Sequence, residues 1–220
     1  MAKLGIVGVL LAGGQSRRMG GGDKCLRMLG NRTILAKIIE RTRPQVSALV
    51  LNANGDPARF ADCGLPVTPD TVEGFAGPLA GVLAGLDWAA EQTPDCEWVA
   101  SFATDAPFLP EDLVSRLLAA IERDGAELAC AASDGRTHPV FGLWPVRLRE
   151  GLRQAMINED IRKVDRWTAR YRLAKATFEV RELDPFFNAN RPEDLETAAA
   201  WMSRRQLAKA GAPHAKKSKG

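Results

Sequence analysis

Histidine is almost missing from this chain: its 220 residues hold two, His138 and His214, beside one tyrosine and four cysteines. Cys25, Cys63, Cys96 and Cys130 are scattered, with no Cys-x-x-Cys pair and no clustering with histidine. That spacing indicates neither a zinc site nor a disulfide framework, and reduced thiols fit a cytoplasmic protein. Cys25, next to Lys24, reads as a small packed residue rather than a reactive thiol. With His214 in a terminal tail, no Ser/His/Asp or Cys/His triad can be assembled. No apolar run approaches the length that crosses a bilayer, and the chain opens on a strand pattern without a charged leader and cleavage site. Neither membrane insertion nor export is expected.

Acidic residues are missing from the last stretch. Arg204, Arg205, Lys209, Lys216, Lys217 and Lys219 follow Ser203 without an Asp or Glu among them. The formal charge of +3 is therefore local, and without those six the chain carries 24 cations against 27 acids, a net of −3. A mildly acidic body argues against nucleic acid as partner, because a duplex binder needs a broad basic face. We read residues 1–203 as one domain with ample core and 204–220 as a basic, disordered tail.

What the chain does have is glycine in one place. The apolar run Ile6 to Leu11 ends in Gly13-Gly14, and the next residues add Gly20, Gly21 and Gly22 together with Arg17, Arg18 and Lys24. A buried strand opening into such a loop lets backbone N–H groups converge on an anion while cations gather beside them. A polyphosphate fits. The loop is not a P-loop, because its lysine is not set in GxxxxGK[ST], and it is not the GxGxxG dinucleotide fingerprint. The alternative is a glycine-rich surface turn with solvated cations.

Residues Leu11 to Lys24 spell Leu-Ala-Gly-Gly-x-Ser-x-Arg-Met-Gly-x-x-Asp-Lys. This resembles the nucleotidyltransferase signature, most closely that of the molybdenum cofactor guanylyltransferase family. The resemblance implies a three-layer αβα, Rossmann-like fold with a mixed, mainly parallel central sheet. The pattern along the chain agrees. Gly5 to Leu11 reads as a strand covered on both faces, Thr33 to Arg43 as a helix capped by Asn31 or Thr33, and Ala48 to Asn52 as the next strand. A short amphipathic piece spans Arg59 to Asp62, a brief edge strand leads to Asp70, and a small-residue helix runs from Leu79 to Ala90. Trp98 to Ala103 is a buried strand, followed by a helix from Pro110 to Arg123 and a strand from Glu127 to Ala132. Residues Asp134 to Thr137 form a turn, and His138 begins an apolar strand. Helices are expected over Arg147–Met156, Asp160–Tyr171 and Pro192–Met202, with a strand at Ala176–Val180.

In open α/β sheets ligands bind at the carboxyl ends of the strands. Asn52 and Asp70 fall there, as nucleotide contacts or, for Asn52, as an Asx turn closing the strand. Asp105 follows a central strand in Asp-Ala-Pro-Phe-Leu-Pro. It reads either as a hard carboxylate ligand for Mg²⁺ or as an N-cap for the following helix. Asn190 could cap the last helix. Arg153, Arg162, Lys163, Arg166 and Arg170 read as solvated helix faces, with an anionic acceptor as the alternative.

The resemblance sharpens these positions. It implies that Lys24, Arg18 and Asp105 act on the triphosphate, and that Asp105 holds the metal. Leu11, Ala12, Gly13, Gly14, Asn52, Asp70, Gly77 and Gly81 would contact the nucleotide, the last two within Gly-Pro-Leu-Ala-Gly. His138 in His-Pro would face the acceptor, and Asn188 and Asn190 in Asn-x-Asn would face the site, Asn188 as a contact to phosphate or acceptor. The implied substrates are GTP and molybdenum-bound molybdopterin, delivered by a molybdopterin carrier, with Mg²⁺ as cofactor and molybdoenzymes or their chaperones as recipients. Two rivals stay open: a transferase of the same fold acting on a sugar phosphate or other phosphorylated small molecule, and a non-catalytic nucleotide-binding or cofactor-carrying protein.

Overall fold

The computed structural model describes residues 5–13, 23–74 and 77–210, the last six as helical backbone. Strand β1 (Ile6–Leu11) is followed by a small hairpin, β2 (Met28–Leu29) and β3 (Arg32–Thr33), and by helix α1 (Ile34–Thr42). Next come β4 (Ala48–Asn52), a 3₁₀ stretch at Pro57–Cys63, β5 (Val67–Thr68), α2 (Pro78–Gln92), β6 (Trp98–Ala103) and α3 (Leu113–Asp124). The remainder is β7 (Leu128–Ser133), β8 (Arg136–Pro145), α4 (Arg149–Glu159), α5 (Val164–Thr168), β9 (Leu173–Phe178) and α6 (Pro192–Ala210).

Seven strands form one sheet in the order β5-β4-β1-β6-β8-β7-β9. All pair in parallel except β8, which is antiparallel to both its neighbours. The apolar run of β1 is buried on both faces because alternate side chains feed different cores. Ile6 and Leu10 join Ile34, Leu35 and Ile38 of α1 and Leu113 and Leu117 of α3. Val7 and Val9 join Leu79, Leu83 and Leu86 of α2, Leu152 and Met156 of α4 and Trp167 of α5. Helices thus cover both faces, and the expected three-layer αβα arrangement with a mixed, mainly parallel sheet is what the chain adopts.

Local signals set most boundaries. Thr33 caps α1, its Oγ1 accepting from the Ala36 N–H at 3.1 Å. Asp134 (φ 46°) and Gly135 (φ 71°) make a two-residue turn with the positive φ values that hairpins favour, so Arg136 and Thr137 already belong to β8. Several boundaries differ from expectation. Helix α3 starts at Leu113 rather than Pro110, because Arg41 and Gln45 hold the Leu109 and Pro110 carbonyls and the Gln45 Oε1 accepts from the Val114 N–H at 2.9 Å. Asp160 adopts the left-handed conformation that ends α4, so only Val164–Thr168 of the expected Asp160–Tyr171 helix forms. Strand β9 covers Leu173–Phe178 rather than Ala176–Val180, in the register set by β7. Helix α6 continues through Ala210, past the point where the tail was expected to lose structure.

Strand β8 also carries an irregularity. Its pairing with β7 passes from Cys130↔Gly142 to Ala131↔His138, so Pro139, Val140 and Phe141 bow out of the ladder. The buried Ser101 of β6 pins this bow, donating to the Val140 carbonyl at 2.6 Å and accepting from the Gly142 N–H at 3.3 Å and Trp144 Nε1 at 2.8 Å.

Candidate active site

From β1 the chain runs outward to β4 and β5 and then returns through α2 to β6, on the other side of β1. The strand order reverses between β1 and β6, which is where an open α/β sheet leaves a crevice at its carboxyl edge. The Thr104 hydroxyl ties that edge together, donating to the Leu11 carbonyl at 2.9 Å. A cleft of about 1860 Å³ opens there. It exceeds the roughly 300–1,000 Å³ of a pocket for one small ligand, leaving room for two substrates.

One flank is a polar network around Asp70. Asn52, 2% exposed, donates through Nδ2 to the Asp70 Oδ1 at 2.9 Å and to the Thr68 carbonyl at 3.3 Å. Its amide therefore reaches across to the end of β5 instead of closing its own turn. Asn54 grips the same aspartate twice, donating to Oδ2 at 2.7 Å and accepting from the Asp70 N–H at 2.8 Å. Leu11, Ala12 and Gly13 line the cleft beside them, as do Gly77 and Gly81 at the start of α2. A Cβ on Gly81 would lie 2.4 Å from the Asn52 Oδ1 and 2.7 Å from the Leu11 Cδ2, so only glycine lets α2 approach this edge. Arg59 braces the flank, holding both Asp23 oxygens at 2.9 and 2.7 Å and the Asn54 carbonyl at 2.5 Å.

Lys24 and Asp105 meet at the centre. The lysine Nζ lies 3.3 Å from the Asp105 Oδ2 and also donates to the Asn190 Oδ1. Asp105 is steadied by the Ala189 N–H, which donates to its carbonyl at 2.8 Å. With its amide turned so that nitrogen faces acceptors, Asn188 donates to the Asp105 Oδ1 and the Phe186 carbonyl, each at 3.2 Å. The capping alternative for Asp105 and the capping role expected of Asn190 both fail here. Asp105 is remote from Leu113, where α3 begins, and α6 is capped by Asp194, whose Oδ2 accepts from the Asn190 and Arg191 N–H groups at 2.8 and 2.7 Å. The Asn190 side chain is thereby released to Lys24. Burial, helped by the Asp23 charge, pushes the Cys25 thiol up to about 12, which makes it an inert packing residue.

The other flank holds His138, which lines the cleft at the start of β8 with its ring stacked on Phe186 at 4.6 Å. Its Nε2 lies 2.6 Å from the Ser133 Oγ, and that hydroxyl donates to Asp184. Burial lowers the His138 pKa below its ordinary value; Asp184 opposes this and Arg136 adds to it.

All the sequence-predicted site residues that are described thus line one cleft, while Gly14 and Arg18 lie outside the described residues. The helix arginines do not join them. Arg153 is neither solvated nor aimed at a ligand, but makes paired contacts of 2.6 and 2.7 Å with the buried Asp87. Arg162 and Arg170 pair with Asp160 and Glu159 at the surface. The sequence reading missed Asp23, Asn54, Arg59, Ser133 and Asp184. Two of these carried a signal: Asp23 stands in the Asp-Lys end of the Leu11–Lys24 signature, and Asn54 lies in the polar segment that follows β4. Among the described residues no three of His, Cys, Asp or Glu cluster as a metal site.

The chain matches the family model of the MobA-like NTP transferase domain over residues 8–175. It is similar to the molybdenum cofactor guanylyltransferase of Bradyrhizobium sp. (strain ORS 278), 62% identical over 88% of this chain and 91% of that protein. The protein of that name from Rhodopseudomonas palustris (strain HaA2) is 60% identical over 86% of this chain and 89% of its own length. Among solved structures it is similar to molybdopterin-guanine dinucleotide biosynthesis protein A from Archaeoglobus fulgidus, with a TM-score of 0.68 and 23% identity over 90% of this chain and 99% of that one. A wide crevice at the strand-order reversal, with a lysine and a carboxylate in contact at its centre, is carried by a chain that belongs to the MobA-like NTP transferase family.

Proposed function

We propose that this protein is a molybdenum cofactor guanylyltransferase, moving GMP from GTP to the terminal phosphate of molybdenum-bound molybdopterin and releasing pyrophosphate. The observation that carries this reading is the Lys24–Asp105 contact of 3.3 Å in a cleft with room for two substrates. A non-catalytic binder has no need of that pair.

An acceptor phosphate oxygen attacks the α-phosphorus, a new P–O bond forms, and the bond to the bridging oxygen breaks, its electron pair leaving on pyrophosphate. The acceptor phosphate is already ionised at neutral pH, so no general base is needed. That suits a site with one described histidine. The residues Leu11, Ala12 and Gly13, Asn52 and Asp70 orient the nucleoside, while Gly14 and Arg18 keep their place in the phosphate loop on the signature alone. Lys24 exchanges the Asp105 carboxylate for the triphosphate and offsets the charge that grows on its oxygens. Mg²⁺ suits the hard carboxylate of Asp105 and, when bound with the triphosphate, would supply Lewis-acid stabilisation of the phosphate oxygens. His138, Asn188 and Asn190 face the acceptor.

In this reading a carrier protein delivers the acceptor and molybdoenzymes or their chaperones receive the product, in the cytoplasm, where free thiols persist. No helix among the described residues is long and apolar enough to cross a membrane. The test supplies each labelled nucleoside triphosphate with Mg²⁺ and carrier-bound molybdenum-molybdopterin. Label from GTP alone should join the acceptor with matching pyrophosphate release. Transfer to a sugar phosphate instead, or binding of GTP without turnover, would replace the reading with one of its rivals.

A further inference from the structure

We propose that Ser133 and Asp184 are positioning residues that hold His138 in its Nε2–H tautomer, leaving Nδ1 as a hydrogen-bond acceptor offered to an N–H or O–H group of the second substrate. This rests on the reading of the cleft as a two-substrate site.

The proposal follows from counting hydrogens. Ser133 ends β7 with no exposed surface, its Oγ lying 2.6 Å from the His138 Nε2 and 3.0 and 2.9 Å from the two Asp184 oxygens. A hydroxyl has one hydrogen, and an ionised carboxylate can only accept. The Ser133 hydrogen therefore goes to Asp184, and the Ser133 oxygen must accept from His138, so Nε2 carries the ring proton. Asp184 is itself fixed, because the Phe186 N–H donates to its Oδ1 at 2.8 Å.

The ring cannot turn to evade this. It stacks on Phe186 at 4.6 Å and 29°, and Phe186 is wedged between Phe141 at 4.9 Å and Phe178 at 5.4 Å. Among the described residues the ring has no second hydrogen-bond partner, yet it lines the cleft. The charged groups acting on it are Asp184 and Arg136, which oppose each other, and burial favours the neutral form. A neutral imidazole locked this way neither donates a proton nor attracts phosphate. It can only accept, which selects a second substrate carrying an N–H or hydroxyl, such as a nitrogen heterocycle, and rejects an analogue that lacks the donor.

His138 and His214 are the chain's only histidines, so a full-length His214→Ala protein labelled with ¹⁵N gives one imidazole to follow. Long-range ¹H–¹⁵N spectra should show Nε2 protonated and Nδ1 bare at pH 7.5, with a titration midpoint below 6.5. Ser133→Ala should release the lock into a tautomer mixture, and Ser133→Thr should keep it. In turnover assays Ser133→Ala should raise the acceptor KM about tenfold, a factor worth one hydrogen bond, with the GTP KM nearly unchanged and Ser133→Thr close to wild type. A protonated Nδ1 in the parent protein would overturn the tautomer assignment, with or without any enzymatic activity. A locked ring whose release shifts the GTP KM, and not that of the acceptor, would overturn the role given to Nδ1. Absence of guanylyl transfer with the lock intact would instead count against the proposed reaction.

Discussion

On the β5-β4-β1 flank of the cleft, Asn52 and Asn54 reach Asp70 across 18 and 16 positions of sequence. On the β8 flank Ser133 reaches Asp184 across 51, and at the centre Lys24 reaches Asn190 across 166. The first flank is the product of one parallel crossover: strands that pair in register deliver their carboxyl-end residues to one edge, where they bond to each other. The second needs an antiparallel strand inserted between β6 and β7, a bow in that strand pinned by Ser101, and a returning segment before α6. In the proposed reading the nucleotide contacts come from the most regular part of the fold and the acceptor contacts from the least regular part. The scaffold for one substrate can stay constant while the other is exchanged.

Mutations at the border should damage both flanks together. Asp105→Ala is expected to abolish Mg²⁺-dependent pyrophosphate release while leaving the circular dichroism melt unchanged; turnover at the wild-type rate would remove the carboxylate from the centre. Lys24→Ala should lower kcat by about 10²–10³, or about 2–4 kcal/mol, as loss of one preorganised donor does elsewhere. A pure KM effect would make this lysine a binding residue only.

Within one flank the effects should separate. Asn54→Ala removes both of its contacts to Asp70 and should raise the KM for GTP by about tenfold, roughly 1.4 kcal/mol, with the acceptor KM unaffected. Ser101→Ala leaves Trp144 Nε1 and the Gly142 N–H without their buried acceptor, at a cost of about 1–3 kcal/mol in a urea melt. Its kinetic effect should fall on the acceptor, and a shift in the GTP KM instead would erase the division between flanks. The smallest effect concerns Cys25. Its thiol, pushed up to about 12, should resist iodoacetamide at pH 8 in the native protein and react only on unfolding, after the half-exposed Cys63. The stability that goes with this raised pKa is fully present below the ordinary thiol value of 9.0 and is lost as pH climbs toward 12, so urea midpoints should fall on the alkaline side.

The readability of each part followed the range of its interactions. Strand β1 and helix α1 announced themselves, because an apolar run and a Thr33 cap are local facts. The start of α3 did not, since the group that caps it is Gln45, which lies 69 positions from Val114. Asp105 read as either cap or ligand from its neighbours alone, and the structure removes the cap by starting α3 at Leu113 and sets the carboxylate 3.3 Å from Lys24. Asn190 read as a cap because Ser, Thr, Asp and Asn commonly serve there. Asp194 took that role from inside the helix and left the asparagine free. Arg153 read as a surface charge, and its buried partner Asp87 sits on a helix whose pattern gives no hint of it.

The chain's linear order was enough to place a glycine-rich, cationic stretch of sequence after β1 and Asn52, Asp70 and Asp105 at or just past strand ends, because the positions of glycine, proline and apolar residues bias local conformation within a few residues. Tertiary structure decided which of those ends touch: the contact of Lys24 with Asp105, the amide clamp on Asp70 and the Asp184–Ser133–His138 chain. Such contacts depend on strand order and register, which are set by packing two cores against one sheet and leave no mark at the positions they join.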